Sequence, residues 1–462
     1  MKALAGSVAL LALLVCSCPG EIIVVTSPTN IGPDNFLYEG CDLVVQGCEI
    51  SINGSHRFNS LLLTNSASVY HVRDGNPSNA FHVYISNTLT IATGCRIDAS
   101  ACGYVPGDTP WHTTNNASQG GGSHGGLGQM GNPSYGDYKD PQELGAGGIL
   151  GRSGYGGGLV RIAASNVVLQ GAIRADGYAG GYNAGNGSGG SGGSIRLDIG
   201  TISGSGQISA VGADEYGGGG RIAIYYADAT GFDLTNQVSA QGHGNYGSAG
   251  TIYLKPSGGP GTLVISGGNS GAYSYTPLGS ETDAVFAVDQ VVLDGTNTIA
   301  GPRLCIPIMA SNVTLRNGAK LQPCWETNRY SGLRLSVGGT LNIDATSTID
   351  GYLGYGPGDT PWHDAAHASH GAGSYGGLGA NGNPVYDSFL DPQHPGSGGK
   401  IGGDQSPYGG GLIRVTANRA HIDGSIAANG QSGGYSGDQG SGGSGGGIRL
   451  DVDVLSGAGS IL

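Results

Sequence analysis

The chain has 462 residues, of which 93 are Gly and only 6 are Phe, and it carries a formal net charge of −13. That acidity excludes a phosphate-binding surface of the nucleic-acid type, which needs clustered Lys and Arg. Gly is roughly a fifth of the residues, against a usual ~7%, and Gly with Pro approaches the level of low complexity or disorder, but regular apolar segments interrupt the glycines and make disorder the weaker reading.

The first element is a targeting segment. Lys2 supplies a positive end, Ala3 to Val15 is apolar, and Ser17-Cys18-Pro19-Gly20 closes it. Residues 1–20 therefore read as a secretory signal peptide, too short to span a bilayer. Val15-Cys16-Ser17-Cys18 also resembles a bacterial lipobox, which makes Cys18 a lipidation candidate. Ordinary cleavage nearby is the alternative. The expected location is secreted or cell-surface, with membrane contact only through such an N-terminal lipid anchor.

Short alternating segments follow: Leu43-Val-Val-Gln46, Ser60-Leu-Leu-Leu-Thr64, Phe81-His-Val-Tyr-Ile85 and Thr88-Leu-Thr-Ile91. Gly, Asn, Asp or Ser bounds each one, as turns bound strands. Leu159-Val-Arg-Ile162, Ser194-Ile-Arg-Leu-Asp198, Arg221-Ile-Ala-Ile-Tyr225 and Thr251-Ile-Tyr-Leu254 continue the series. Alternation predicts Ile195 and Leu197 on one face and Arg196 and Asp198 on the other.

Two glycine-rich excursions, Cys102 to Gly154 and Leu353 to Pro407, interrupt the strands, and the second repeats the first. Pro106-Gly-Asp-Thr-Pro-Trp-His112 returns as Pro357 to His363, and Ser123 to Pro141 returns as Ser374 to Pro392. Tyr155-Gly-Gly-Gly-Leu-Val-Arg161 returns as Tyr408 to Arg414, and Gly187 to Asp198 returns as Gly440 to Asp451. The repetition divides the chain into copy A, 36–283, and copy B, 284–462, with the second copy truncated because Leu462 aligns with Ser209. A unit of two or three short strands cannot bury its apolar face alone, so units must stack. The expected fold is all-β: a right-handed parallel β-helix or solenoid with two duplicated glycine-rich lobes. The lobes read as ordered, their glycines forming polyproline-II-like segments, with tight runs at corners where φ > 0 or close backbone approach is required.

The residues Gly190-Ser-Gly-Gly-Ser-Ile-Arg-Leu197, Leu169-Gln-Gly-Ala-Ile-Arg-Ala-Asp-Gly177, Ile202-Ser-Gly-Ser-Gly-Gln-Ile-Ser-Ala210 and Gly217-Gly-Gly-Gly-Arg-Ile-Ala-Ile-Tyr-Tyr226 carry a resemblance. They are similar to exported glycine-rich repeat proteins found at the surfaces of bacteria and plants. The resemblance covers most of 90–226 and 342–462. It implies a solenoid-like extracellular repeat and brings no activity with it.

Six cysteines follow the leader: Cys41, Cys48, Cys95, Cys102, Cys305 and Cys324. An even count in an exported chain suggests disulfides, simplest as 41–48, 95–102 and 305–324. None has the CxxC spacing of a zinc site.

The candidate ligand-binding residues are Asp108, Trp111 and His112 and their repeats Asp359, Trp362 and His363. An indole can pack on a pyranose face while Asp and His hydrogen-bond hydroxyls, and Asp with His can ligate a cation. The competing reading is a Pro-Gly-Asp-Thr-Pro turn with Trp plugging a corner. Acidity permits calcium; no other cofactor is called for. Arg161, Arg196, Arg414 and Arg449 could form an anion ladder, or pair with Asp176, Asp198 and Asp451. No catalytic residues are legible: there is no spaced carboxylate pair, no ordered triad and no phosphate loop. The expected function is a non-enzymatic exported surface or matrix protein, structural or adhesive, with glycans or other matrix proteins as partners. The alternative is a β-helix that binds or cleaves carbohydrate.

Overall fold

A computed structural model describes residues 20–107, 109, 120–129, 133–148, 154–180, 188–213, 216–243, 246–268, 275–324, 332–356, 372–379, 384–399, 407–432 and 442–462. These residues form an all-β structure. Short 3-10 turns at Phe36–Tyr38, Pro77–Asn79 and Arg303–Cys305 are the helical pieces among the described residues.

One sheet of 15 strands runs from Ile22–Val25 to Gly447–Ser456. Along the chain its strands alternate with those of two smaller sheets. A 7-stranded sheet spans Thr29–Ile31 to Val238–Ser239, and a 6-stranded sheet spans Thr276–Leu278 to Ser460–Ile461. Pairing is parallel, and the sequence periodicity sets the register: Ile195 of Ser194–Ser203 stands between Val160 and Ile222, and Leu197 between Ile162 and Ile224. Ile195 and Leu197 are fully buried, as their alternation predicted.

The large sheet changes direction once. Thr251–Pro256 and Thr262–Ser266 form an antiparallel pair, with Ile252 opposite Val264 and Tyr253 opposite Leu263. The reversal falls inside the span 36–283, so it does not coincide with the boundary suggested by sequence repetition.

The reversal also moves the core to the other face of the sheet. Successive strand residues point to opposite faces. Ile222, Ile224 and Ile252 belong to the first core, which reaches back to Val25. Ala223 and Tyr253, their neighbours in the chain, belong to the second core with Leu263, Ile265, Phe286 and Leu293. Strands Arg221–Gly231 and Thr251–Pro256 are therefore covered on both sides.

The glycine lobes pack backbone against backbone with the glycine runs that precede the strands. Gly156, Gly157 and Gly158 donate in turn to the carbonyls of Tyr104 (3.1 Å), Ser191 (2.9 Å) and Ala99 (2.7 Å). Ser191, Gly192 and Gly193 donate to Ala146 (2.9 Å), Gly218 (3.0 Å) and Ala175 (2.7 Å). Gly218, Gly219 and Gly220 donate to Gly122 (2.9 Å), Ser248 (2.9 Å) and Ala210 (2.8 Å). Three consecutive amides serving three different neighbours is the pattern of an extended chain with three residues per turn, unlike the two-sided pattern of a flat strand. The second lobe repeats it, with Gly409 donating to Tyr355 (3.0 Å) and Gly410 to Ser444 (2.8 Å). The need for glycine here is space. A Cβ on Gly192 would lie 2.0 Å from the Ala210 oxygen, and one on Gly157 would lie 2.0 Å from the Ala175 oxygen.

Candidate functional site

Asp108, Trp111, His112, Asp359, Trp362 and His363 lie outside the described residues, as does Cys18. Thr109, inside the first of these motifs, is buried, and its Oγ1 has no hydrogen-bond partner.

The cysteines follow the sequence expectation in one pair of three. Cys305 and Cys324 are disulfide-bonded, with Cα atoms 4.8 Å apart. The pairs 41–48 and 95–102 are not formed. Cys48, Cys95 and Cys102 are free thiols, and the Cys41 Sγ–H points at the Glu39 carbonyl. Strand Asp42–Gln46 lies between Cys41 and Cys48. Five strand residues at ~3.3 Å each hold the two ends roughly 17 Å apart, beyond the ~7 Å reach of a disulfide. Strand Arg96–Asp98 separates Cys95 from Cys102 in the same way. Burial, with the charge of Asp98 added, pushes the Cys102 thiol up to about 11.

The four strand arginines are tied to lobe carboxylates. Asp140 Oδ1 accepts from Arg161 Nη1 at 2.9 Å and from Arg196 Nη1 at 2.5 Å. Asp391 Oδ1 holds Arg414 Nη2 at 2.8 Å and also takes Arg449 Nη1. The expected local pairs exist as well: Arg196 Nε with Asp198 at 2.7 Å and Arg449 Nε with Asp451 at 2.9 Å. Asp176 does something else, accepting from Ser209 Oγ and the Val211 amide. Partial burial opposes ionisation of Asp140, but Arg196 and Arg161 outweigh it and hold the carboxyl below its ordinary range. Asp140-Pro141 and Asp391-Pro392 thus clamp each lobe onto the large sheet.

A cluster of buried polar groups lies at the reversal, where the first lobe meets the second half of the chain. Tyr138 packs its ring 5.5 Å from those of both Tyr253 and Phe286. Its hydroxyl donates to the Ala287 carbonyl at 3.3 Å. Beside it is a cavity of about 560 Å³, lined among others by Asp137, Tyr138, Lys139, Arg221, Asp283 and Phe286. Arg221 is buried, its Nε donating to the Tyr135 carbonyl (2.8 Å) and its Nη1 to Thr251 Oγ1 (3.1 Å). Burial lowers its pKa to about 10. Arg303, also buried, reaches across from the second half to the Ser134 carbonyl (2.5 Å) and to Glu281 Oε1 (2.5 Å). His124 is fully buried, its Nδ1 on the Gly192 carbonyl at 3.1 Å. Burial and the Arg221 charge push it down to about 3, so the ring is neutral.

Sequence reasoning passed over Arg221 as a strand residue. The alignment of copy B with copy A reaches only to Ser209, so internal comparison could not single it out. Among the described residues no group of three or more His, Cys, Asp or Glu side chains is placed to hold a metal ion. No family model matches the chain, and neither a curated protein nor a solved structure matches it.

Proposed function

We propose that this chain is an exported scaffold: a right-handed parallel β-helix-type solenoid whose glycine lobes stiffen it for a structural or adhesive role outside the cell. The observation that carries the reading is the glycine layer. Its amides are bonded three ways into neighbouring segments, with Cβ positions occupied by other backbone atoms. Such packing leaves no room for rearrangement and suits a load-bearing body better than a mobile one. Clamping of each lobe to the large sheet by one Asp and two Arg supports the same reading. The resemblance to glycine-rich surface proteins, and the leader at residues 1–20, point to the outside of a cell. Surface glycans or other matrix proteins are the expected partners.

Native-state hydrogen exchange tests the scaffold reading. Amides of Gly156–Gly158, Ser191–Gly193 and Gly218–Gly220 should exchange as slowly as those of Ser194–Ser203. Exchange of these glycine runs on the timescale of exposed loops would remove the basis of the proposal.

A further inference from the structure

We propose that the bare face of the second glycine lobe, with the open edge of strand Gly447–Ser456, docks a glycine-run segment of another polypeptide, of the Gly-Gly-Gly-Gly-Arg-Ile type found at 217–222. The inference goes beyond the scaffold reading and rests on the comparison of the two lobes.

The lobes are built alike at this point. Ser123 Oγ accepts from the Gly128 amide at 2.9 Å, and Ser374 Oγ from the Gly379 amide at 3.0 Å. The Tyr135 amide donates to the His124 carbonyl at 3.2 Å, and the Tyr386 amide to the Tyr375 carbonyl at 3.3 Å. The Tyr135 and Tyr386 hydroxyls donate to the carbonyls of Leu144 (2.6 Å) and Pro395 (2.7 Å).

What differs is the cover. In the first lobe the Gly126 amide donates to the Gly219 carbonyl (2.9 Å) and the Ser248 amide to the Leu127 carbonyl (2.9 Å). Gly125 and Gly126 are buried there. A Cβ on Gly125 would lie 2.1 Å from the Gly220 oxygen, and one on Gly126 would lie 2.3 Å from the Ala249 oxygen. The aligned Gly376 and Gly377 are exposed, with nothing within 4 Å of either Cβ position among the described residues. Tyr138, packed on Tyr253 and Phe286, aligns with Phe389, which is 95% exposed, and Leu378 is 75% exposed. Ile195 and Leu197 are fully buried, whereas the aligned Ile448 and Leu450 are half-buried on the last strand of the large sheet. An apolar patch beside an unpaired strand edge marks an interaction surface.

The first lobe also shows the chemistry of the occupant. Arg221 crosses Gly125, its Cγ 3.1 Å from that Cβ position, and its Nε donates to the Tyr135 carbonyl. The charge of Glu143 faces it. The second lobe has a gap of about 350 Å³ at the matching place, lined by Gly376, Tyr386, Asp387, Phe389, Gly447 and Ile448. The carboxylate has changed position: Asp387 aligns with Gly136, and His394 with Glu143. Asp387 Oδ2 accepts from the Tyr375 hydroxyl (2.8 Å) and the amides of Gln393 (2.7 Å) and His394 (2.8 Å). Its Oδ1 accepts from the Ser388 amide (2.8 Å), and His394 Nδ1 stands 3.6 Å from it. Partial burial opposes ionisation of Asp387, but the Ser388 and His394 amides outweigh it and hold the carboxyl below its ordinary range. A carboxylate in the gap that matches the Arg221 site fits a guanidinium. The strand after that arginine then pairs in parallel with Gly447–Ser456, as Arg221–Gly231 pairs with Ser194–Ser203.

The probe is residues 213–256 of this sequence fused to an inert soluble carrier, titrated into the intact protein by fluorescence anisotropy. It should bind saturably and slow amide exchange across Gly447–Ser456 at least tenfold. Gly376→Ile should weaken binding at least tenfold without lowering the melting temperature, because the free protein has open space there. Arg221→Ala in the probe alone should also weaken it at least tenfold. No saturable binding, binding untouched by either substitution, or protection confined to other strands would overturn the proposal. Self-association of the chain through this face, excluding the probe, would assign the face to a second copy and overturn it as well. Exchange of Gly156–Gly158 in the free protein reports on the scaffold reading, so the two readings fail separately.

Discussion

Asp140 Oδ1 accepts a hydrogen bond from Arg196 Nη1 at 2.5 Å, joining a glycine lobe to a strand 56 residues later. In the second lobe Asp391 Oδ1 accepts the same bond from Arg449 Nη1. Because the pair recurs in both copies, it is a device of the repeat and not an accident of one surface.

Asp140→Asn should loosen the first lobe before the sheet. Both side chains are partly exposed, so screening limits the loss to about 1 kcal/mol. Limited proteolysis should show faster cleavage within 120–148 with the strands intact. The Asp140 carboxyl titrates below its ordinary value in the folded protein. Its stabilisation is therefore full above about pH 4 and disappears as pH falls through the folded value. Asp140→Asn should remove that part of the acid sensitivity.

Gly192→Ala should be severely destabilising, by at least about 3 kcal/mol, because the new methyl meets backbone that cannot retreat. The nearest atom, the Ala210 oxygen, would be 2.0 Å away. Gly32→Ala is the control, with nothing within 4 Å of its Cβ. Urea midpoints should fall steeply for the first and move little for the second.

His124 is neutral in the folded protein, with its pKa lowered from 6.5 to about 3. The unfolded chain binds a proton there first, so stability falls as pH drops from about 6.5 towards 3. His71, buried with its Nε2 accepting from the Leu159 amide at 3.2 Å, is lowered too and adds to the same window. Stability measured against pH should decline less steeply in His124→Phe than in wild type. Parallel profiles would show that His124 does not titrate on unfolding.

The Cys305–Cys324 bond closes a loop with a sequence separation of 19. Replacing both residues with Ser should cost about 3 kcal/mol, read as a lower melting temperature. Alkylation of native, unreduced protein should label Cys48, label Cys102 slowly because its thiol is pushed up to about 11, and leave Cys305 and Cys324 unlabelled.

Local pattern determined much of this protein. The alternation of Ser194-Ile-Arg-Leu-Asp198 sufficed to bury Ile195 and Leu197 and turn Arg196 and Asp198 to the opposite, half-buried face, because side-chain direction in a strand has period two. The repetition predicted that Asp140 and Asp391 occupy matching places, and each accepts from the matching pair of strand arginines. What only the tertiary structure decided lies between segments that are distant in sequence. The turn of the reversal is written in Pro256-Ser-Gly-Gly-Pro-Gly261, but its consequence is not: Ile252 and Tyr253 look like any strand pair until their neighbours supply a core on each side. Cys41 and Cys48 looked like partners by proximity in sequence, but extension of the strand between them takes them out of reach. In sequence Asp140 is simply the first half of an Asp-Pro pair that suits a turn, and Arg221 is one more strand position. Their roles come from a carbonyl 86 residues away for Arg221 and a guanidinium 56 residues away for Asp140, contacts that exist only once the sheets have stacked.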